Sequence, residues 1–222
     1  CNIRILTNAA SYDHDRAIEK FNRLGLSVSG NEIVTSRDAT LLSLSSGVWG
    51  AIAAPEDDLS DISEDFIRIG NDPDDFNCVD GFIFLSSFGW TNKQQNLLTK
   101  SLLARQRPVL IANADLVAPR DNGFSLEPGH YGHLLLDNGV QDVSFFGKPF
   151  TKVYDLLEES LDLVDQDKIF MCGDSLHTDI IGASARGWKT VLVTRDGLFS
   201  GFDTFDFCKK SNLFPDWRLQ AI

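Results

Sequence analysis

Two carboxylates, Asp174 and Asp179, stand five positions apart where an apolar run, Ile169 to Cys172, gives way to Gly173 and then to a helix. Two acids at that spacing can hold a hard divalent cation, which takes oxygen ligands. A lysine, Lys148, sits between Gly147 and Pro149 just after the apolar segment Val143 to Phe146. A hydroxyl and an amide, Thr7 and Asn8, follow the apolar stretch Ile3 to Leu6. Each has an ordinary reading by itself. Thr7 is then a turn or cap hydroxyl, Lys148 a solvated loop lysine, Asp174 a turn former, and Asp179 a first-turn acid favoured by the helix dipole. Taken in order they make a more specific set: strand-Thr-Asn, then Gly-Lys-Pro, then strand-Gly-Asp-Ser-Leu-His-Thr-Asp-Ile. Phosphoryl transfer is mostly positioning and charge neutralisation, and a cation site, a lysine and a hydroxyl with neighbouring amides are the parts it needs.

Such residues act together only if the chain brings three strand ends to one edge. In open parallel sheets ligands bind beyond the carboxyl ends of the strands. The pattern predicts strands at Asn2 to Leu6, Val48 to Ala53, Gly81 to Leu85, Val109 to Ala112, Val143 to Phe146, Ile169 to Cys172 and Thr190 to Val193. Between them lie helical periodicities. Ala17, Ile18, Phe21 and Leu24 share a face and end at Gly25; Thr91 and Gln94 form a capping box ahead of Leu97, Leu98 and Leu102. Val153, Leu156, Leu157, Leu161 and Val164 form an amphipathic stripe, and Thr178 to Arg186 closes at Gly187. Residues 55 to 75, rich in acids, read as loops with a short helix. Residues 119 to 142, with two prolines and four glycines, read as loop. Strands alternating with helices predict a doubly wound α/β fold with a Rossmann-like parallel sheet.

Composition bounds the rest. The 222 residues are 43% hydrophobic and 23% charged, enough for one real core with a sizeable insertion. A net charge of -12 disfavours nucleic acid and anionic membrane as partners, while a metal and a few local donors still allow a small phosphorylated substrate. No apolar run approaches the ~20 residues of a membrane helix, and no signal peptide is visible. Four scattered cysteines, without C-x-x-C spacing, suit a reducing cytoplasmic setting, with Cys172 read as a small core residue.

These motifs resemble those of the haloacid dehalogenase (HAD) superfamily, subfamily IIA, the nitrophenylphosphatase-like and sugar-phosphatase-like group. Ile5-Leu6-Thr7-Asn8 is similar to that family's second motif, Gly147-Lys148-Pro149 to its third, and Gly173 to Ile180 to its fourth. Ile111-Ala112-Asn113-Ala114-Asp115 resembles its Thr-Asn-Pro-Asp segment, with alanine in place of Thr and Pro. The resemblance implies a magnesium-dependent phosphoric monoester hydrolase acting on a small, sugar-phosphate-like metabolite. Thr7 and Lys148 are then catalytic, and Asn8, Asn113, Asp115 and His130 bind substrate. Asp174 and Asp179 hold Mg2+. It also implies a core made of residues 1–40 and 131–222, and a large α/β cap, residues 41–130, inserted between the second and third motifs. Caps of this kind can pair across a homodimer.

One part is missing. The resemblance places a nucleophilic Asp-x-Asp-Gly motif ahead of the second motif, and here nothing precedes it. Asp13-His14-Asp15 has the spacing but lies at a helix start after Thr7, and reads as a solvated first turn with an exposed His14. The expectation is therefore a nucleophile in an upstream segment of roughly 30 residues or more, about a strand-loop-helix unit. The alternative is a non-catalytic relative, a HAD-fold binding or assembly protein without the first motif.

Overall fold

The computed structural model describes residues 2–120, 123–161, 165–195 and 197–221; Cys1 and Val164 lie outside them. The chain opens with strand β1 (Ile5–Thr7), helix α1 (His14–Arg23), β2 (Ile33–Thr35) and α2 (Ser36–Leu41). There follow β3 (Trp49–Ile52), β4 (Phe66–Arg68), β5 (Gly81–Phe84), α3 (Asn92–Ala104) and β6 (Val109–Ile111). A hairpin, β7 (Val117–Arg120) and β8 (Gly123–Leu126), leads to α4 (Pro128–Asp137), β9 (Val143–Phe145) and α5 (Thr151–Glu159). The last part holds β10 (Phe170–Gly173), a π-helical turn (Leu176–Ile180), α6 (Ile181–Ala185), β11 (Lys189–Val193), α7 (Thr204–Ser211) and β12 (Trp217–Leu219).

The central sheet is parallel throughout, in the order β4-β3-β5-β6-β9. Its strands are short continuous apolar runs because both faces are covered. On β5, Ile83 joins one cluster, with Leu6, Val34, Tyr154, Met171 and Trp188, while Phe82 and Phe84 join another, with Trp90, Leu98 and Tyr131. The first cluster also ties this sheet to two smaller parallel ones, β1-β2 and β10-β11-β12. Among the described residues β1 and β10 each pair on one edge only. The doubly wound α/β class read from the sequence is the fold observed, and the central sheet runs on to Phe145, past residue 130.

Several local expectations are corrected. Residues 55–75 contain the strand β4, where a short helix was expected. It is an edge strand of three residues whose Phe66 is half exposed, too short to leave a period-two signal. Residues 119–142 hold the hairpin and α4. Pro128 occupies the first turn of α4, where its missing N–H costs nothing. Gly129 allows close approach, since a Cβ there would lie 2.3 Å from the Ala114 carbonyl oxygen. Cys172 is exposed, because it points to the face of β10 opposite buried Met171. The capping box at Thr91 and Gln94 is present, with Gln94 N donating to Thr91 Oγ1 and Thr91 N to Gln94 Oε1. Asp13 caps α1, accepting from Arg16 N at 2.8 Å. His14 is half-buried, not solvated: Nδ1 lies 2.9 Å from Asp38 Oδ2 and Nε2 3.1 Å from the Gly30 carbonyl oxygen.

Candidate active site

The carboxyl ends of β1 and β10 and the turn after β9 open into one cleft of about 340 Å³. Its lining brings together Thr7, Asn8, Asn113, Asp115, Lys148, Asp174 and Asp179, and adds Arg120, Glu127, Ser175 and Leu198. Of the site residues read from the sequence, His130 does not line it. His130 sits on the first turn of α4, its ring edge-on to Tyr131 at 5.2 Å.

Asn8 is the joint of the site. Its side chain is buried, and an amide buried without partners is costly. Nδ2 donates to Asp115 Oδ1 at 2.9 Å and to the Lys148 carbonyl oxygen at 3.0 Å, while Oδ1 accepts from Lys148 N at 2.6 Å. One side chain thus fixes the turn after β1, the segment after β6 and the turn after β9. Thr7 Oγ1 accepts from Ala9 N at 3.3 Å, shaping the same turn.

Lys148 reaches across the cleft, Nζ donating to Asp179 Oδ1 at 2.7 Å. Asp179 lies on the π-helical turn, 3% exposed, and its Oδ2 accepts from Ser175 N at 3.1 Å. Gly173 is required for this, since a Cβ there would fall 2.2 Å from Asp179 Cγ. Asp174 Oδ2 accepts from Leu198 N at 2.9 Å. Asp115 is raised above the usual carboxylate range by burial, aided by the nearby charges of Glu127 and Asp179; the Asn8 hydrogen bond and the Lys148 charge work against the rise.

Asp174 and Asp179 offer hard oxygen donors from one turn of chain. Mg2+ is commonly held by one or two carboxylates together with waters and substrate phosphate, so these residues fit that ion. No group of three or more metal-ligating side chains exists among the described residues.

Reasoning from sequence missed Arg120 and Glu127. They stand on the hairpin and just after it, in the passage read as loop, and nothing in their spacing marks them. Leu198 contributes a backbone amide, which no side-chain pattern reveals.

Residues 145–201 match the family model for HAD-hydrolase-like proteins. No curated protein matches the sequence. Among solved structures, the chain is similar to a "possible sugar phosphatase" of the HAD superfamily from Cytophaga hutchinsonii. The two are 23% identical over 98% of this chain and 81% of that one, with a TM-score of 0.83. A p-nitrophenyl phosphatase from Archaeoglobus fulgidus is 19% identical over 99% of this chain and 83% of that one, with a TM-score of 0.78. A glycerol phosphate phosphatase from Mycobacterium tuberculosis, solved in complex with calcium, is 20% identical over 89% of this chain and 58% of that one, with a TM-score of 0.70.

Proposed function

The chain has the HAD-superfamily fold, in the form of its sugar phosphatases and nitrophenylphosphatases, and from that we propose that it is a magnesium-dependent phosphatase for a small, sugar-phosphate-like metabolite. The observation that carries the reading is the convergence of Thr7, Asn8, Lys148, Asp174 and Asp179 on one cleft. Two of the similar structures named above are phosphatases, one of them in complex with calcium, and the third is a possible sugar phosphatase.

Each residue has a task on this reading. Thr7 Oγ1 and the backbone amides beside Asn8 hold the non-bridging phosphoryl oxygens. The Lys148 ammonium neutralises charge between that group and the attacking carboxylate, and Asp179 keeps the ammonium aimed into the cleft. Asn8 holds the segment of Asn113 and Asp115 over the site. Mg2+, held by Asp174 and Asp179, would supply positive charge against the developing negative charge of the phosphoryl oxygens. The cap is the segment around the central sheet, taken as residues 41–130 from the sequence, and the sheet's continuation to β9 supports extending it to about residue 145.

The nucleophile, an aspartate that forms an aspartyl-phosphate and is freed by water, belongs on this reading to a segment outside the described residues. The edges of β1 and β10 support the reading, since among the described residues each strand pairs on one side only, which leaves a place for one more strand.

The test is magnesium binding by calorimetry. Asp174→Asn should weaken affinity about tenfold or more, because a ligand oxygen loses its charge. Equal affinity in both proteins removes Asp174 from the metal site.

A further inference from the structure

The hairpin and the residue that follows it supply a further part of the cleft lining. Glu127 is its anchor. The residue is 9% exposed and accepts three hydrogen bonds: from Ser125 Oγ at 2.5 Å and Arg120 Nη2 at 3.0 Å on Oε1, and from Asn113 Nδ2 at 3.3 Å on Oε2. Among the described residues Arg120 is otherwise held by the Pro119 carbonyl, 3.2 Å from Nη1, and most of its side chain faces solvent.

The charges on this part of the lining decide what it can accept. Arg120 is one cation, and the Glu127 carboxylate beside it cancels that charge. Asp115 adds a second carboxylate to the lining, near enough for the Glu127 charge to act on it. A leaving group that carried its own carboxylate would approach Arg120 only by facing Glu127 and Asp115 as well. A carboxylate accepts hydrogen bonds and cannot donate them, so it makes no favourable contact with Glu127. A hydroxyl behaves differently. It accepts from the Arg120 guanidinium and donates to Glu127, which matches the pair in both directions and brings no charge.

Resting on the phosphatase reading above, we infer that Arg120, positioned by Glu127, selects phosphomonoesters whose leaving group carries an uncharged hydroxyl and rejects those carrying a carboxylate. Glu127 acts here as a positioning and charge-cancelling residue, and Arg120 as the residue that touches the leaving group.

The matched pair hydroxyethyl phosphate and phosphoglycolate, which differ only in a hydroxymethyl against a carboxylate, tests this by calorimetry with magnesium present and inorganic phosphate as the reference. The wild-type chain should bind hydroxyethyl phosphate about tenfold or more tighter than phosphoglycolate. In Glu127→Gln, an isosteric change that frees the Arg120 charge, phosphoglycolate should gain until the two esters lie within about threefold. Arg120→Ala should weaken hydroxyethyl phosphate about tenfold, the scale of a hydrogen bond to a charged group. Inorganic phosphate should be unchanged in both variants. An unaltered ester ratio in Glu127→Gln, or wild-type preference for phosphoglycolate, overturns the inference while phosphate binding still stands. Failure of the wild type to bind inorganic phosphate overturns the phosphatase reading itself and takes the inference with it.

Discussion

Removing the Lys148 ammonium should be felt in stability before any turnover is measured. Nζ lies 2.7 Å from Asp179 Oδ1, and the two side chains are 15% and 4% exposed. At that separation and an effective dielectric near 20 the Coulomb attraction is ~6 kcal/mol. Much of it only offsets the desolvation of the two charges. What deletion exposes is the other side of that balance, because Lys148→Ala leaves Asp179 buried with the Ser175 amide as its remaining partner. An uncompensated buried charge costs about 3–5 kcal/mol. At roughly 2–4 °C per kcal/mol for a chain this size, the melting temperature should drop by about 6–20 °C. Thermal and urea unfolding followed by circular dichroism measure it, and Lys152→Ala, on the exposed side of the next helical turn, is the control. Lys148→Ala combined with Asp179→Asn should recover at least half of the loss, since the stranded charge is then gone. A loss under about 1 kcal/mol is what a solvated surface pair would give, and it would refute the placement of Lys148 as a buried, aimed cation.

Two further outcomes follow from charges outside the cleft. Arg37 is fully buried and donates from Nη1 to Asp57 Oδ2 at 2.5 Å and from Nη2 to Asp61 Oδ1 at 2.6 Å. Arg37→Met should therefore cost about 3–5 kcal/mol in urea unfolding, with partial recovery on adding Asp57→Asn; a loss below about 1 kcal/mol contradicts it. His14 is lowered by burial, but the hydrogen bond and charge of Asp38 and the Gly30 carbonyl outweigh that and leave it raised above 6.5. Its contribution to stability is then fully present below pH 6.5 and fades as pH rises through the raised folded value. Urea unfolding across that range should show a slope that His14→Gln flattens, and equal slopes in the two proteins would rule it out.

The strand ends that bear the site are marked in the sequence because each follows an apolar run with a polar break, whereas the short strands β2, β4, β7, β8 and β12 carry no such signal. That is why the turns bearing Thr7, Lys148 and Asp174 were legible. What those residues do to each other was not. The Asn8 hydrogen bonds to Asp115 and Lys148 join positions 107 and 140 residues apart, and no periodicity carries that distance. The helix α4 was hidden by its own packing. Its glycines, which read as loop residues, are there because Gly129 lies hard against the backbone at Ala114 and Gly132 against the side chains of Ile111 and Phe145. His14 was misread for a related reason. A histidine at an N-terminal turn is ordinarily wet, and only the return of α2 brings Asp38 to it.

The long reach of Asn8 has a consequence for how the protein is made. Lys148 leaves the ribosome 140 residues after Asn8, which at ~5–20 residues per second is an interval of roughly 7–28 s. Throughout it the amide that joins the three turns has no partner in the β9 turn, and the cleft lacks Lys148, Asp174 and Asp179. The central parallel sheet can close on itself during that interval, since β3 to β6 emerge together. The cleft is therefore among the last features of the molecule to appear. A ribosome stalled before residue 148 would hold a chain with β3 to β6 available to pair and no complete phosphate site, and ligands for that site would offer no help to the nascent chain in holding its early fold.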